Sequence, residues 1–106
     1  MSKKSTKSFA RKTKNFRPGW RSAALKIVHP EGLHTRPAAR FAKIAQQFFA
    51  DVVVQRGRQK GDGKSILSLL ALGAEQGHRL TIRTRGPQAE EALKALEKFM
   101  GSTLES

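Results

Sequence analysis

Residues 24–45, ALKIVHPEGLHTRPAARFAKIA, change hydrophobic rhythm once, and that change decides the fold. Ala24 to Val28 is a short apolar run of strand character, closed by the turn residues His29-Pro30-Glu31-Gly32. Past Leu33 and His34 the apolar positions fall at Ala38, Phe41, Ala42, Ala45 and Phe48, the steps of one helix face. Pro37 suits the first turn of that helix, where a missing N–H costs little. Arg40, Lys43 and Gln47 fall off the apolar face and read as solvated.

The same rhythms continue downstream. Asp51-Val52-Val53-Val54-Gln55 is a β-branched strand, Arg56-Gly57-Arg58 a tight turn, and Gln59 to Gly63 a short polar edge strand. Lys64 to Gly73 predicts a two-turn helix, with Ser65 at its start and Gly73 at its stop. His78 to Arg85 alternates through Leu80, Ile82 and Thr84 as a half-buried strand. Gly86-Pro87 opens a last helix with Ala89, Ala92, Leu93, Leu96 and Met100 inward, and Gly101 ends it. Glu90 and Glu91 in its first turn and Lys94 and Lys98 later match the helix dipole. The order β-α-β-β-α-β-α predicts an α+β domain, a mostly antiparallel sheet with helices packed on one face.

A chain of 106 residues allows one ordinary domain, and 38% hydrophobic residues suffice for a modest core. The absence of cysteine excludes a disulfide scaffold, a thiolate metal site and a cysteine nucleophile, and fits a reducing compartment. No apolar run of about 18 residues exists to span a membrane, and the basic start leads into no apolar stretch of a secretory signal. A cytoplasmic location is expected.

The net charge of +13 divides unevenly. Eight of the 21 Lys and Arg residues, and none of the eight acids, lie in residues 1–22, which leaves +5 for residues 23–106. The first stretch, rich in Lys, Ser and Thr, reads as a flexible basic arm, and the second as the folded domain. Phe9, Phe16 and Trp20 could form one helical stripe in the arm, although Pro18 disfavours a helix continuing to Trp20. The arm is either a solvated segment or one that docks on nucleic acid, an anionic surface or an acidic protein. The domain's own aromatics, Phe41, Phe48, Phe49 and Phe99, fall mostly at core-like positions and offer no stacking surface for bases.

The domain's chemistry is sparse. Its carboxylates are scattered, no His/Asp/Glu cluster has metal-ligand spacing, and neither a metal nor a cofactor is expected. Gly61-Asp62-Gly63-Lys64-Ser65 has the outline of a phosphate loop, but its preceding strand is weak and its first glycine misplaced. What remains is Gly32-Leu33-His34-Thr35-Arg36-Pro37-Ala38. It sets a histidine at a helix entry, where free backbone N–H groups and the positive helix end favour an anion. Arg36 adds a planar donor fork suited to phosphate oxygens. A neutral imidazole is a nucleophile available near physiological pH, so the constellation can accept a phosphoryl group and release it. The alternative is a histidine that merely caps the helix. His29 and His78 lie beside turns without such a basic neighbour.

Gly32-Leu33-His34-Thr35-Arg36-Pro37-Ala38-Ala39 resembles the active-site signature of the HPr family, phosphocarriers of the bacterial phosphoenolpyruvate-dependent phosphotransferase system. Lys64-Ser65-Ile66-Leu67 through Leu72-Gly73 resembles that family's second signature, and the element order agrees from Leu25 onward. The resemblance implies an open-faced sandwich of four antiparallel strands with three helices on one face. It implies a carrier rather than an enzyme: His34 takes a phosphoryl group on Nδ1 from phosphorylated enzyme I, Arg36 steadies it, and a IIA domain of an enzyme II or a regulatory equivalent receives it. Ser65 matches the position that an ATP-dependent HPr kinase phosphorylates in many bacteria, or else it is a plain helix cap.

Docking in the family uses the first two helices. Ile66, Leu67, Leu70 and Ala71 would supply apolar contacts, and Thr35, Arg36, Ala39, Arg40 and Lys43 a basic rim for acidic protein surfaces, whereas Leu69 and Leu72 read as core. Spacing alone leaves open that all these leucines are core. Gly86 to Leu93 is similar to the same stretch of the nitrogen-related branch, often called NPr, which regulates rather than importing sugar. The arm falls outside the family pattern, and a small basic nucleic-acid-binding protein acting through it is the rival reading.

Overall fold

The structure is a computed structural model that describes residues 19–101. Its elements are β1 (Trp20–Lys26), α1 (Thr35–Ala45), β2 (Asp51–Arg56), β3 (Gln59–Asp62), α2 (Ile66–Ala71), β4 (Arg79–Arg85) and α3 (Ala89–Met100). The strands form one antiparallel sheet in the order β1-β4-β2-β3. This is the open-faced sandwich expected, and it is built on alternation. Leu25, Leu80, Ile82, Val52 and Val54 point to the helix side and are buried, while the residues between them line the other face.

The helices close over that apolar side. Phe41 of α1, Leu69 of α2 and Leu96 and Met100 of α3 are buried against the strands, and Phe99 meets Phe41 edge-on with ring centroids 6.4 Å apart. Burial of side chains this large contributes about 1.5–3 kcal/mol each relative to exposure. The buried polar group, Thr84, donates its hydroxyl to the Ala89 carbonyl at 2.7 Å and ties β4 to the start of α3. The left-handed Gly101 stops α3 where the sequence placed its end.

Three boundaries differ from expectation in ways that matter, besides shifts of one or two residues in β2, β3, α2 and β4. β1 begins at Trp20, so residues 20–22, read as the end of the arm, belong to the sheet. β1 also ends at Lys26, so Ile27 and Val28 lie past the strand; Ile27 is buried and its N–H donates to the His78 carbonyl at 3.0 Å. α1 ends at Ala45, which leaves Phe48 half-buried beyond the helix. The rest of the arm, with Phe9 and Phe16, lies outside the described residues. Trp20 itself stands in a strand, not on a helical stripe.

Candidate functional site

β1 reaches the histidine through a turn held by close packing. Gly32 has φ +65°, and a Cβ there would stand 2.7 Å from the Ala74 carbonyl oxygen and from the Glu75 Cα. Both the backbone conformation and the space therefore demand glycine. Its N–H donates to the His29 carbonyl at 3.0 Å, and the N–H of buried Leu33 donates to the Ala74 carbonyl at 3.0 Å. His34 thus follows two anchored residues.

His34 occupies the N-cap of α1 in an extended conformation, φ −87° and ψ −164°, with its side chain exposed. Its carbonyl accepts the Ala38 N–H at 2.8 Å, as an N-cap carbonyl should, but its imidazole makes no capping hydrogen bond. The capping role left open by the sequence is not the one the side chain plays. The next amides, of Thr35 and Arg36, donate to no acceptor among the described residues, and Pro37 has no N–H. An imidazole, two orphaned amides and the positive end of an 11-residue helix therefore converge, with no acid in the first turn to occupy them.

Exposed Arg36 extends this positive corner along α1 to Arg40 and Lys43, at i, i+4 and i+7. Like charges at such spacing repel by a few tenths of a kcal/mol per pair, and α1 contains no acid to offset them. A stripe of this kind is a cost to the isolated helix and a natural complement to an anionic partner.

Ser65 lies at the far end of α1. Gln46 Nε2 donates to the Lys64 carbonyl at 2.9 Å and Lys64 Nζ to the Phe48 carbonyl at 3.0 Å, joining the start of α2 to the end of α1. The Leu33–Ala74 hydrogen bond joins the opposite ends. The two helices are antiparallel, and the 11 residues of α1, about 16 Å, separate His34 from the Ser65 end. Ser65 is half-buried, and its Oγ accepts the Ser68 N–H at 3.2 Å.

Of the residues assigned to docking, Thr35, Arg40, Lys43 and Ala71 are exposed and Ala39 is half-buried. Ile66 is 39% and Leu67 77% exposed. Leu69 and Leu72 are in the core. Leu70 is half-buried and packed against the core, so it presents only part of its side chain. One surface residue was missed. Of the four aromatics read as mostly core-like, Phe49 is 78% exposed, Phe48 and Phe99 are half-buried, and Phe41 is fully enclosed. Two adjacent aromatics cannot both face the core from one segment, which is the signal that was present. Phe49 is held there through its backbone, its N–H donating to Gln88 Oε1 at 2.8 Å.

The other histidines have structural occupations. His78 Nδ1 accepts the Glu75 N–H at 2.9 Å, and the His29 ring lies tilted against Phe99 at 6.2 Å. Among the described residues no group of three or more His, Cys, Asp or Glu is placed to hold a metal ion, and no helix is long and apolar enough to cross a membrane.

Comparison with known proteins adds independent findings. Residues 21–102 match the family described as PTS HPr component phosphorylation site. The chain is 42% identical over 76 residues to a phosphocarrier protein HPr of Vibrio cholerae, covering 72% of this chain and 89% of that one. It is also 42% identical over 76 residues to a multiphosphoryl transfer protein of Xanthomonas campestris, of whose length it spans only 9%. Among solved structures, a phosphocarrier protein HPr from Bacillus anthracis superposes with a TM-score of 0.73 at 34% identity, over 76% of this chain and 95% of that one. An HPr from Thermoanaerobacter tengcongensis gives 0.75 at 32% identity, over 81% and 97%.

Proposed function

The chain belongs to the HPr family of phosphotransferase-system phosphocarriers, and from that premise we propose that His34 accepts a phosphoryl group from phosphorylated enzyme I and passes it to a IIA domain. As a family member the protein is a carrier, modified by its partners, and not an enzyme with a turnover of its own. The observation that supports His34 is its exposed imidazole, free of any capping bond, beside the unpartnered amides of Thr35 and Arg36.

In the forward step the Nδ1 lone pair of neutral His34 attacks phosphorus. A nitrogen–phosphorus bond forms as the bond to the donor breaks, and the donor keeps that electron pair. The Thr35 and Arg36 amides, the helix dipole and the Arg36 guanidinium stabilise the phosphoryl oxygens. In the onward step the acceptor attacks phosphorus and His34 recovers its lone pair. The exposure of the site lets different partners reach it. Arg40 and Lys43 attract acidic surfaces, while Ile66, Leu67, the exposed part of Leu70 and Ala71 supply apolar contact. The route serves sugar uptake or nitrogen-related regulation.

We assign Ser65 to regulation by an HPr kinase. A phosphate there would place about −2 charge beside Ile66 and Leu67, repelling an acidic partner while leaving His34, at the far end of α1, chemically intact. The test of the carrier assignment is incubation with phosphoenolpyruvate and enzyme I followed by intact-mass measurement. One acid-labile phosphoryl adduct is expected, and it is absent in His34→Ala. A competent enzyme I that leaves the wild-type chain unmodified refutes the assignment.

A further inference from the structure

The sheet has a second face that the helices do not cover. Cross-strand partners share a face, so the register sets Trp20, Arg85 and Asp51 in one outer row and Ser22, Arg83, Val53 and Asp62 in the next. Below them lie Ala24, Thr81, Gln55 and Lys60, and last the pair Lys26 and Arg79. Two acids stand among five cations. Asp51 is spent on Arg85 at 3.1 Å, whereas Lys26, Lys60, Arg79 and Arg83 are exposed and form no ion pair among the described residues. Lys26 stands directly opposite Arg79, an arrangement that destabilises a sheet unless an anion lies over it.

We propose that this helix-free face binds the phosphodiester backbone of single-stranded nucleic acid. Charge complementarity selects a polyanion, and it also excludes two occupants from within. A second copy would bring the same charge, and residues 1–18 hold seven Lys or Arg and no acid. Guanidinium forks on Arg79 and Arg83 match phosphate oxygens. The Arg85 guanidinium lies 4.5 Å above the centre of the half-buried Trp20 ring, a cation–π pair of two groups on which bases stack. The face is a shallow sheet without a helix or ribbon raised to enter a duplex groove, which favours a single strand. Insertion into a bilayer and a protein–protein core both need large exposed apolar side chains. Those present among the described residues, Val28, Phe49, Ile66 and Leu67, all lie outside the strands of this face.

The helices, with His34 and the docking residues, lie on the other side of the sheet. A carrier seated on nucleic acid in this way keeps its histidine open to its partners.

The test is fluorescence anisotropy of a labelled short single-stranded RNA titrated with the full chain over a salt series. We expect salt-sensitive binding that weakens about tenfold in R79Q/R83Q, with the log–log salt slope reduced by about 1.4, two contacts at about 0.7 each. R40Q/K43Q, on α1, should bind RNA as the wild type does. Thermal unfolding of each variant separates lost binding from lost fold; if R79Q/R83Q is unfolded, K26Q/K60Q replaces it with the same expectation. Wild-type affinity in folded R79Q/R83Q overturns the proposal and leaves binding to the arm or to α1. No RNA binding, or binding only to phosphatidylserine vesicles, overturns it as well.

Discussion

At the start of α1 the N-cap side chain makes no hydrogen bond to the helix, whereas at the start of α2 the Ser65 hydroxyl accepts the Ser68 amide at 3.2 Å. The α2 start is further tied down by Lys64, which bonds the Phe48 carbonyl, and by Asp62 Oδ1, which accepts the Lys64 N–H at 2.9 Å. The α1 start spends its bonds just before the N-cap, on positioning Gly32 and Leu33, and leaves the Thr35 and Arg36 amides without acceptors among the described residues. Both starts leave the amides of their first two helical residues, Thr35 and Arg36 or Ile66 and Leu67, without an acceptor among the described residues. They differ at the third, where the Ser65 hydroxyl takes the Ser68 N–H, whereas Pro37 has no N–H to offer and the His34 side chain stays free of the helix. Under the proposed assignments the same contrast separates a transient phosphoryl group on His34 from a regulatory one on Ser65, which must displace an existing cap.

Substitutions at the two starts can break or sharpen that contrast. The largest effect is expected from Gly32→Val, which puts a β-branched residue at φ +65° and drives its Cβ into the Ala74 carbonyl. A loss of about 3 kcal/mol in denaturant unfolding is expected, with slowed phosphorylation of the displaced His34. A fully stable variant would mean that the open start does not rest on this packing. Next comes Arg36→Gln, which removes a charge-assisted contact to phosphate. Transfer from enzyme I should slow by between about tenfold and about a hundredfold while the melting temperature holds. A lowered melting temperature with an unchanged rate would assign Arg36 to structure instead.

Ser65→Ala should do the reverse, costing about 1 kcal/mol by loss of the cap and leaving the His34 adduct intact. Leu67→Ala has the smallest expected effect on the fold, within about 0.5 kcal/mol because the side chain is 77% exposed, but it should weaken enzyme I binding severalfold. Unchanged affinity would remove Leu67 from the docking surface.

Most of the fold was legible because hydrophobic period switches cleanly between two and 3.6. Phe41, Leu80, Ile82 and Leu96 are buried where those periods put them. β1 was less legible. Trp20-Arg21-Ser22 has no apolar alternation and becomes strand through its pairing with Arg85, Thr84 and Arg83, a long-range partner that local pattern cannot show. Ile27 misled for the opposite reason, being apolar and buried yet past the strand's end. At the candidate site the residue types and their order were readable, but the unpartnered amides, the antiparallel helix pair and the exposure of Phe49 emerge only in the folded chain. The basic outer face was invisible to a linear reading, since Lys26, Lys60, Arg79 and Arg83 meet only through register.

The most direct measurement is the location of the phosphoryl group. Wild type, His34→Ala and Ser65→Ala are each incubated with phosphoenolpyruvate and enzyme I, and their intact masses compared before and after acid treatment. Wild type and Ser65→Ala should each gain one acid-labile phosphoryl group, and His34→Ala none. An adduct retained in His34→Ala, or lost in folded Ser65→Ala, would contradict the assignment of the open helix start as the acceptor.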